Sequence, residues 1–155
     1  KTPDHATKLR RCGVRIDFLL ALTFALDLWD WYTWEVVQHL VKPATEGEGR
    51  CRFAELPGVR LFTGAATVFM SHCWGGRWGD LVAAACAGAD TRRVVWIDVF
   101  AVRQWPGNGA DLDFRGVLEG CAAAIVAAAP IEGTLLKDGD GDEGMNSFKA
   151  REAFL

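Results

Sequence analysis

Two short stretches hold most of the side chains able to do chemistry. One is Ser71-His72-Cys73-Trp74-Gly75-Gly76, and the other ends on Asp98 after Val94-Val95-Trp96-Ile97. A hydroxyl, an imidazole, a thiol and a carboxylate suggest proton transfer or nucleophilic attack. His72 and Cys73 cannot activate one another directly, because adjacent residues of an extended segment point to opposite faces. Cys73 therefore reads as a small packing residue. His72 is left as a ligand contact, a helix-cap partner or a buried hydrogen-bonded group. Asp98 either binds a polar group of a ligand or caps the turn that follows it. Trp74 either stacks on a ligand ring or covers a helix end. Gly75, Gly76 and Gly79 let a ligand approach the backbone, and the N-terminus of the next helix favours a phosphate. The spacing is neither that of a dinucleotide fingerprint nor that of a P-loop.

The elements that must position these residues follow from hydrophobic patterning. Ala66 to Met70, Val94 to Val99 and Ala123 to Ala128 are short apolar runs of the kind buried on both faces of a parallel sheet. Between them, Trp78 to Ala89 and Leu112 to Cys121 carry apolar residues at helical spacing. Strands alternating with helices predict right-handed βαβ crossovers, which put both chemistry-bearing loops at the carboxyl ends of adjacent strands.

Ahead of this unit, Val14 to Val41 has a helical pattern, with Asp17 as N-cap and a break near Asp30 to Thr33. Trp29, Trp31 and Trp34 read as core or interface packing. Lys42-Pro43 is expected to end the helices, and Leu56-Pro57-Gly58 marks a turn. The expected organisation is a helical segment at 1–45, a linker at 46–65 and an α/β domain at 66–155. Near the end, Asp138 to Gly144 is an acidic glycine loop. A calcium loop fails there, since Glu143 and Lys149 stand where Gly and Glu are needed. No metal is expected.

Bulk properties exclude several classes. The 155 residues are 50% hydrophobic and carry a net charge of −3, which argues for a globular chain and against non-specific nucleic-acid binding. The longest apolar run, Phe18 to Leu26, is too short to span a bilayer, so no membrane partner is expected. Five cysteines, an odd number without CxxC spacing, read as free thiols of a cytoplasmic protein.

Val68-Phe69-Met70-Ser71-His72-Cys73-Trp74-Gly75, then Val95-Trp96-Ile97-Asp98, then Gln104, resembles the fungal heterokaryon-incompatibility (HET) domain. That family has an apolar strand ending in Ser-Tyr-x-Trp-Gly, and later a Trp-Ile-Asp strand followed by Gln. His72 stands here at the Tyr position. The HET domain is itself similar to the TIR domain. The resemblance covers roughly residues 66 to 129 and implies an incomplete, flavodoxin-like (TIR-like) parallel sheet, with Val99 to Gly109 in the place of the TIR BB loop.

It also implies NAD as ligand or substrate, with Ser71, His72, Trp74 and Gly75 lining the pocket and Asp98 at its edge. Enzymatic TIR domains hydrolyse the nicotinamide–ribose bond with a Glu, often in a Trp-Cys-x-x-Glu setting. None of Glu132, Glu143 and Glu152 has that context. A chain running from Lys1 to Leu155 reads as a fragment, so the catalytic Glu is expected beyond Leu155. The alternatives are a non-catalytic module that self-associates through Val99 to Gly109 and neighbouring helices, and a generic flavodoxin-like nucleotide-binding domain.

Overall fold

The computed structural model describes residues 3–128. The acidic glycine loop and the helical run Ser147 to Leu155 lie outside the described residues.

The polar N-terminus is a short helix, α1 (His5–Arg10), capped by Asp4, whose Oδ1 accepts from the Thr7 N–H at 2.7 Å. Next, β1 (Gly13–Arg15) corrects the helix expected from Val14. Val14 pairs with Thr63 on one side and with Val95 on the other, and its side chain is fully buried. Long-range pairing here overrides the local helical period. Gly13 is required, because a Cβ there would lie 2.8 Å from Val94 Cγ1 and 2.9 Å from Ala66 Cβ.

Helix α2 (Ile16–Ala25) starts with Arg15 at the cap position, and Asp17 falls in the first turn as its ion-pair partner. The chain breaks at Asp27, whose φ of 50° is left-handed. It resumes as α3 (Thr33–Val36), where Glu35 Oε2 accepts from the Tyr32 N–H at 2.8 Å. Pro43 does not end the helix as expected. A wide π turn at Val37–Val41 leads into α4 (Lys42–Glu46) with the proline in its first turn. The wide turn before it is where the missing proline N–H is accommodated without ending the helix.

Residues 46–65, expected as a linker, carry a 3₁₀ turn at Phe53–Glu55, α5 (Pro57–Arg60) and β2 (Thr63–Gly64). Phe53, Ala54 and Val59 from this stretch are buried, and Phe53 stacks on Phe100 with centroids 4.8 Å apart.

The three apolar runs form β3 (Val68–His72), β4 (Val94–Trp96) and β5 (Ala123–Ala127). Between them lie α6 (Trp78–Cys86), the single turn α7 (Asp98–Ala101) and α8 (Phe114–Glu119). The sheet order is β2-β1-β4-β3-β5. Strand β3 runs parallel to β4 and β5, and β1 is antiparallel to β4 and β2. The fold is thus α/β with a mixed five-stranded sheet. The all-parallel three-stranded sheet is corrected, because the N-terminal segment supplies the strand that covers the outer edge of β4.

Strand alternation splits the core. Val14, Met70, Val95 and Ile97 face α2 and α6, while Phe69 and Trp96 face α1 and α8. Trp78 and Trp96 are both fully buried, and each indole N–H has an acceptor: Thr23 Oγ1 at 3.0 Å and the Leu9 carbonyl at 3.0 Å. Trp29 and Trp31 pack partly buried against the core, whereas Trp34 is 46% exposed. No helix among the described residues is long and apolar enough to cross a membrane.

Candidate functional site

Strands β3 and β4 run parallel, so their carboxyl ends emerge side by side. His72 is the last residue of β3. The chain leaving β4 turns at Ile97 into α7, which begins at Asp98. The two meet across 26 residues of sequence: His72 Nε2 lies 2.6 Å from Asp98 Oδ1. The same oxygen accepts the Val99 N–H at 2.7 Å. Asp98 therefore caps its own turn and also engages a second polar side chain. His72 is 4% exposed and Asp98 21%. Nε2 is thus engaged by Asp98, and Nδ1 is buried, so the ring is held in place inside the fold.

Gln104 closes the other end of this turn. Its Nε2 donates to the Asp98 and Val102 carbonyls at 3.0 and 3.1 Å. Gln104→Ala should cost ~1 kcal/mol by urea unfolding, the worth of an ordinary hydrogen bond, without changing m. A loss near zero would mean that α7 holds without it.

A small, partly open cleft lies beside these strand ends. Its walls include Thr33, His72, Cys73, Gly76, Arg77 and Asp80. Of the five residues expected to bind a ligand, His72 lines the cleft, and Asp98 joins it through His72. Ser71 sits on β3 opposite Val126, on the sheet face away from His72. Trp74 is half-buried against the core, and Gly75 is exposed beside it.

Thr33 and its neighbours are participants that the sequence did not reveal. Residues Trp29 to Trp34 lie along the loop from Trp74 to Gly79. The Thr33 and Trp34 N–H groups donate to the Gly76 and Trp74 carbonyls at 2.9 and 3.1 Å. In return, the Trp78 and Gly79 N–H groups donate to the Trp31 and Trp29 carbonyls at 2.8 and 3.0 Å. These are the first two N–H groups of α6, the donors expected to hold a phosphate. That expectation is corrected: backbone carbonyls already occupy them. Nothing in the local sequence marks this, since the partners lie 47 and 50 residues away and use only backbone atoms. Arg77 completes the contact, with Nη1 donating to the Asp30 carbonyl at 2.7 Å.

The loop placed at Val99 to Gly109 is tied down at several points. Asn108 Nδ2 donates to the Arg103 carbonyl at 2.7 Å, and Trp105 Nε1 donates to Thr45 Oγ1 at 3.1 Å. Arg50 lies 4.6 Å from the Trp105 ring centroid. At its end is the fully buried Asp111. Asp111 Oδ2 accepts from the Arg103 backbone N–H and from Nε, both at 2.9 Å, and Oδ1 accepts from Arg52 at 2.6 Å. Burial works to raise the Asp111 carboxyl, but the Arg103 and Arg52 hydrogen bonds overcome it and hold the group below its ordinary range.

All five cysteines are free thiols. Burial pushes the Cys12 thiol up to about 11 and also raises those of Cys51, Cys86 and Cys121. Cys73 is exposed at the cleft. Among the described residues, no three His, Cys, Asp or Glu side chains are grouped to hold a metal ion.

The chain matches no protein-family model, no curated protein and no solved structure.

Proposed function

We propose that this chain is a TIR/HET-like signalling module of the flavodoxin-like class, and that the cleft beside β3 and β4 binds one end of an NAD-type nucleotide. The observation that carries the reading is the His72–Asp98 contact, which brings the two motifs behind the resemblance to one point at the carboxyl ends of parallel strands. The strand order adds support. Taken alone, the parallel strands run β4-β3-β5, which is second-first-third in chain order, as at the start of a flavodoxin-like sheet. In this reading NAD is ligand or substrate. Hydrolysis of its nicotinamide–ribose bond is the activity that the resemblance implies, and none of the residues described above is assigned as the catalytic carboxylate. The module works as a homo-oligomer in the cytoplasm.

The test is a calorimetric titration of NAD into the 155-residue chain, paired with chromatography for released nicotinamide. Binding is expected with micromolar to millimolar affinity. Asp98→Ala, checked for folding by circular dichroism, should weaken it about ten-fold, the worth of one charge-assisted contact. No heat and no saturation-transfer signal at millimolar NAD would sink the nucleotide reading. Binding without nicotinamide release would leave a nucleotide-responsive module that is not an enzyme as it stands.

A further inference from the structure

We infer that Arg77 binds the anionic group of the ligand in this cleft, a role that the Trp78 and Gly79 N–H groups cannot take. The inference rests on the nucleotide reading above and deepens it.

A phosphate beside a parallel strand usually finds the free N–H groups of the following helix. Here Trp78 and Gly79 give theirs to the Trp31 and Trp29 carbonyls, so those donors cannot face a ligand. Trp29 also packs directly against the backbone at Gly79. The space a Cβ would need at Gly79 is taken by the Trp29 carbonyl oxygen, 2.6 Å away. An anion entering the cleft must find its positive partner elsewhere.

Arg77 is the cation on the cleft wall. Its guanidinium is positioned in advance. Nη1 is anchored on the Asp30 carbonyl at 2.7 Å, and Cζ sits 5.2 Å from the centroid of the Tyr32 ring. Tyr32 in turn lies nearly parallel to Trp34, with 9° between their planes. The segment that covers the helix end thus also holds the arginine beside the cleft. A guanidinium has five N–H donors in a planar fork, and one bond to a carbonyl leaves others for a phosphate. No carboxylate among the described residues forms an ion pair with Arg77, in contrast to Arg15, Arg52, Arg92, Arg103 and Arg115. Asp80 shares the cleft and disfavours an anion next to itself, which leaves the Arg77 side for the phosphate and suits Asp80 to a sugar hydroxyl.

The probes are adenosine and ADP-ribose, which share a nucleoside and differ in carrying a diphosphate. Each is titrated by NMR into the 155-residue wild type, Arg77→Gln and Arg77→Lys. Wild type should bind ADP-ribose at least about ten-fold more tightly than adenosine, the worth of a charge-assisted bidentate contact. Arg77→Gln should erase that preference and leave the adenosine affinity unchanged. Arg77→Lys keeps the charge and a donor for Asp30, which protects the fold. It should lose several-fold on ADP-ribose alone, because a point charge cannot make the fork. A preference that survives in both variants overturns the inference, as does equal binding of the two probes by wild type; either result leaves the nucleotide site standing. Failure of wild type to bind either probe overturns the nucleotide reading and this inference with it.

Discussion

Asp111→Asn should lower stability by about 3 kcal/mol, the low end of the usual cost of removing one partner of a buried ion pair. The substitution keeps size and shape, so the loss is electrostatic. Asp111 is fully buried, and Arg52 is only 16% exposed. Without the carboxylate, two guanidinium groups lose their shared partner; Arg52 keeps Glu55 at 2.7 Å, and Arg103, 39% exposed, is partly solvated. Urea unfolding of wild type and variant gives the number; a difference under ~1 kcal/mol would show that solvent already reaches the site.

The sign of its pH dependence follows from the lowered folded-state value of Asp111. A depressed carboxyl contributes stability that is present above its unfolded value, about 3.9, and is lost as pH falls through the folded value. The wild-type advantage over Asp111→Asn should therefore be flat from about pH 5 to 8 and should shrink below about pH 4. Taking the difference cancels the titration of every other acid in the chain. An advantage that fades already at pH 6 would mean that Asp111 is not held ionised by its arginines.

Gly79→Ala should cost roughly 3 kcal/mol, combining overpacking of ~1–3 kcal/mol with the weakening of two backbone hydrogen bonds at ~0.5–1.5 kcal/mol each. A Cβ at Gly79 meets the Trp29 carbonyl oxygen at 2.6 Å and the Trp29 ring at 3.3 Å. Those are backbone and indole atoms, not the far end of a flexible side chain, so the strap from Trp29 to Trp34 must lift. Amide exchange at Trp78 and Gly79 should then accelerate well beyond that of amides in β3. Gly88→Ala on the same stretch, where nothing lies within 4 Å of a new Cβ but φ is +61°, separates backbone strain from collision. If Gly79→Ala leaves stability and exchange unchanged, the strap is not seated against α6.

The resemblance-bearing stretch was the most legible part of this protein. Val68–His72, Trp78–Cys86, Phe114–Glu119 and Ala123–Ala127 fall where apolar runs and helical spacing put them, while the strand expected over Val94 to Val99 stops at Trp96 and gives way to a helical turn at Asp98. Each is specified by its own residues: β-branched and aromatic side chains for the strands, an apolar stripe for the helices. The carboxyl ends of β3 and β4 were legible for the same reason, and with them the neighbourhood of His72 and Asp98. The expected set of five ligand residues was less so. Strand alternation alone puts Ser71 and His72 on opposite faces, and Trp74 found enough apolar surface nearby to pack inward.

Before Ala66 the sequence was a poor guide. Gly13-Val14-Arg15 looks like the start of a helix and becomes a strand, because Val95 and Thr63 offer it partners 81 and 49 positions away. Pro43 looks like a stop and is carried inside a helix by a π turn. Phe53 and Val59 sit in a stretch that reads as a linker and are core. The sequence by itself determined a parallel βαβ unit with polar loops at its strand ends, since local pattern and local propensity suffice for that. Only the tertiary structure decided what those loops can do. The contacts that cover the α6 N-terminus, hold Arg77 beside the cleft and pair Asp111 with two arginines join residues far apart in the chain, through backbone atoms or charges that carry no periodic signature.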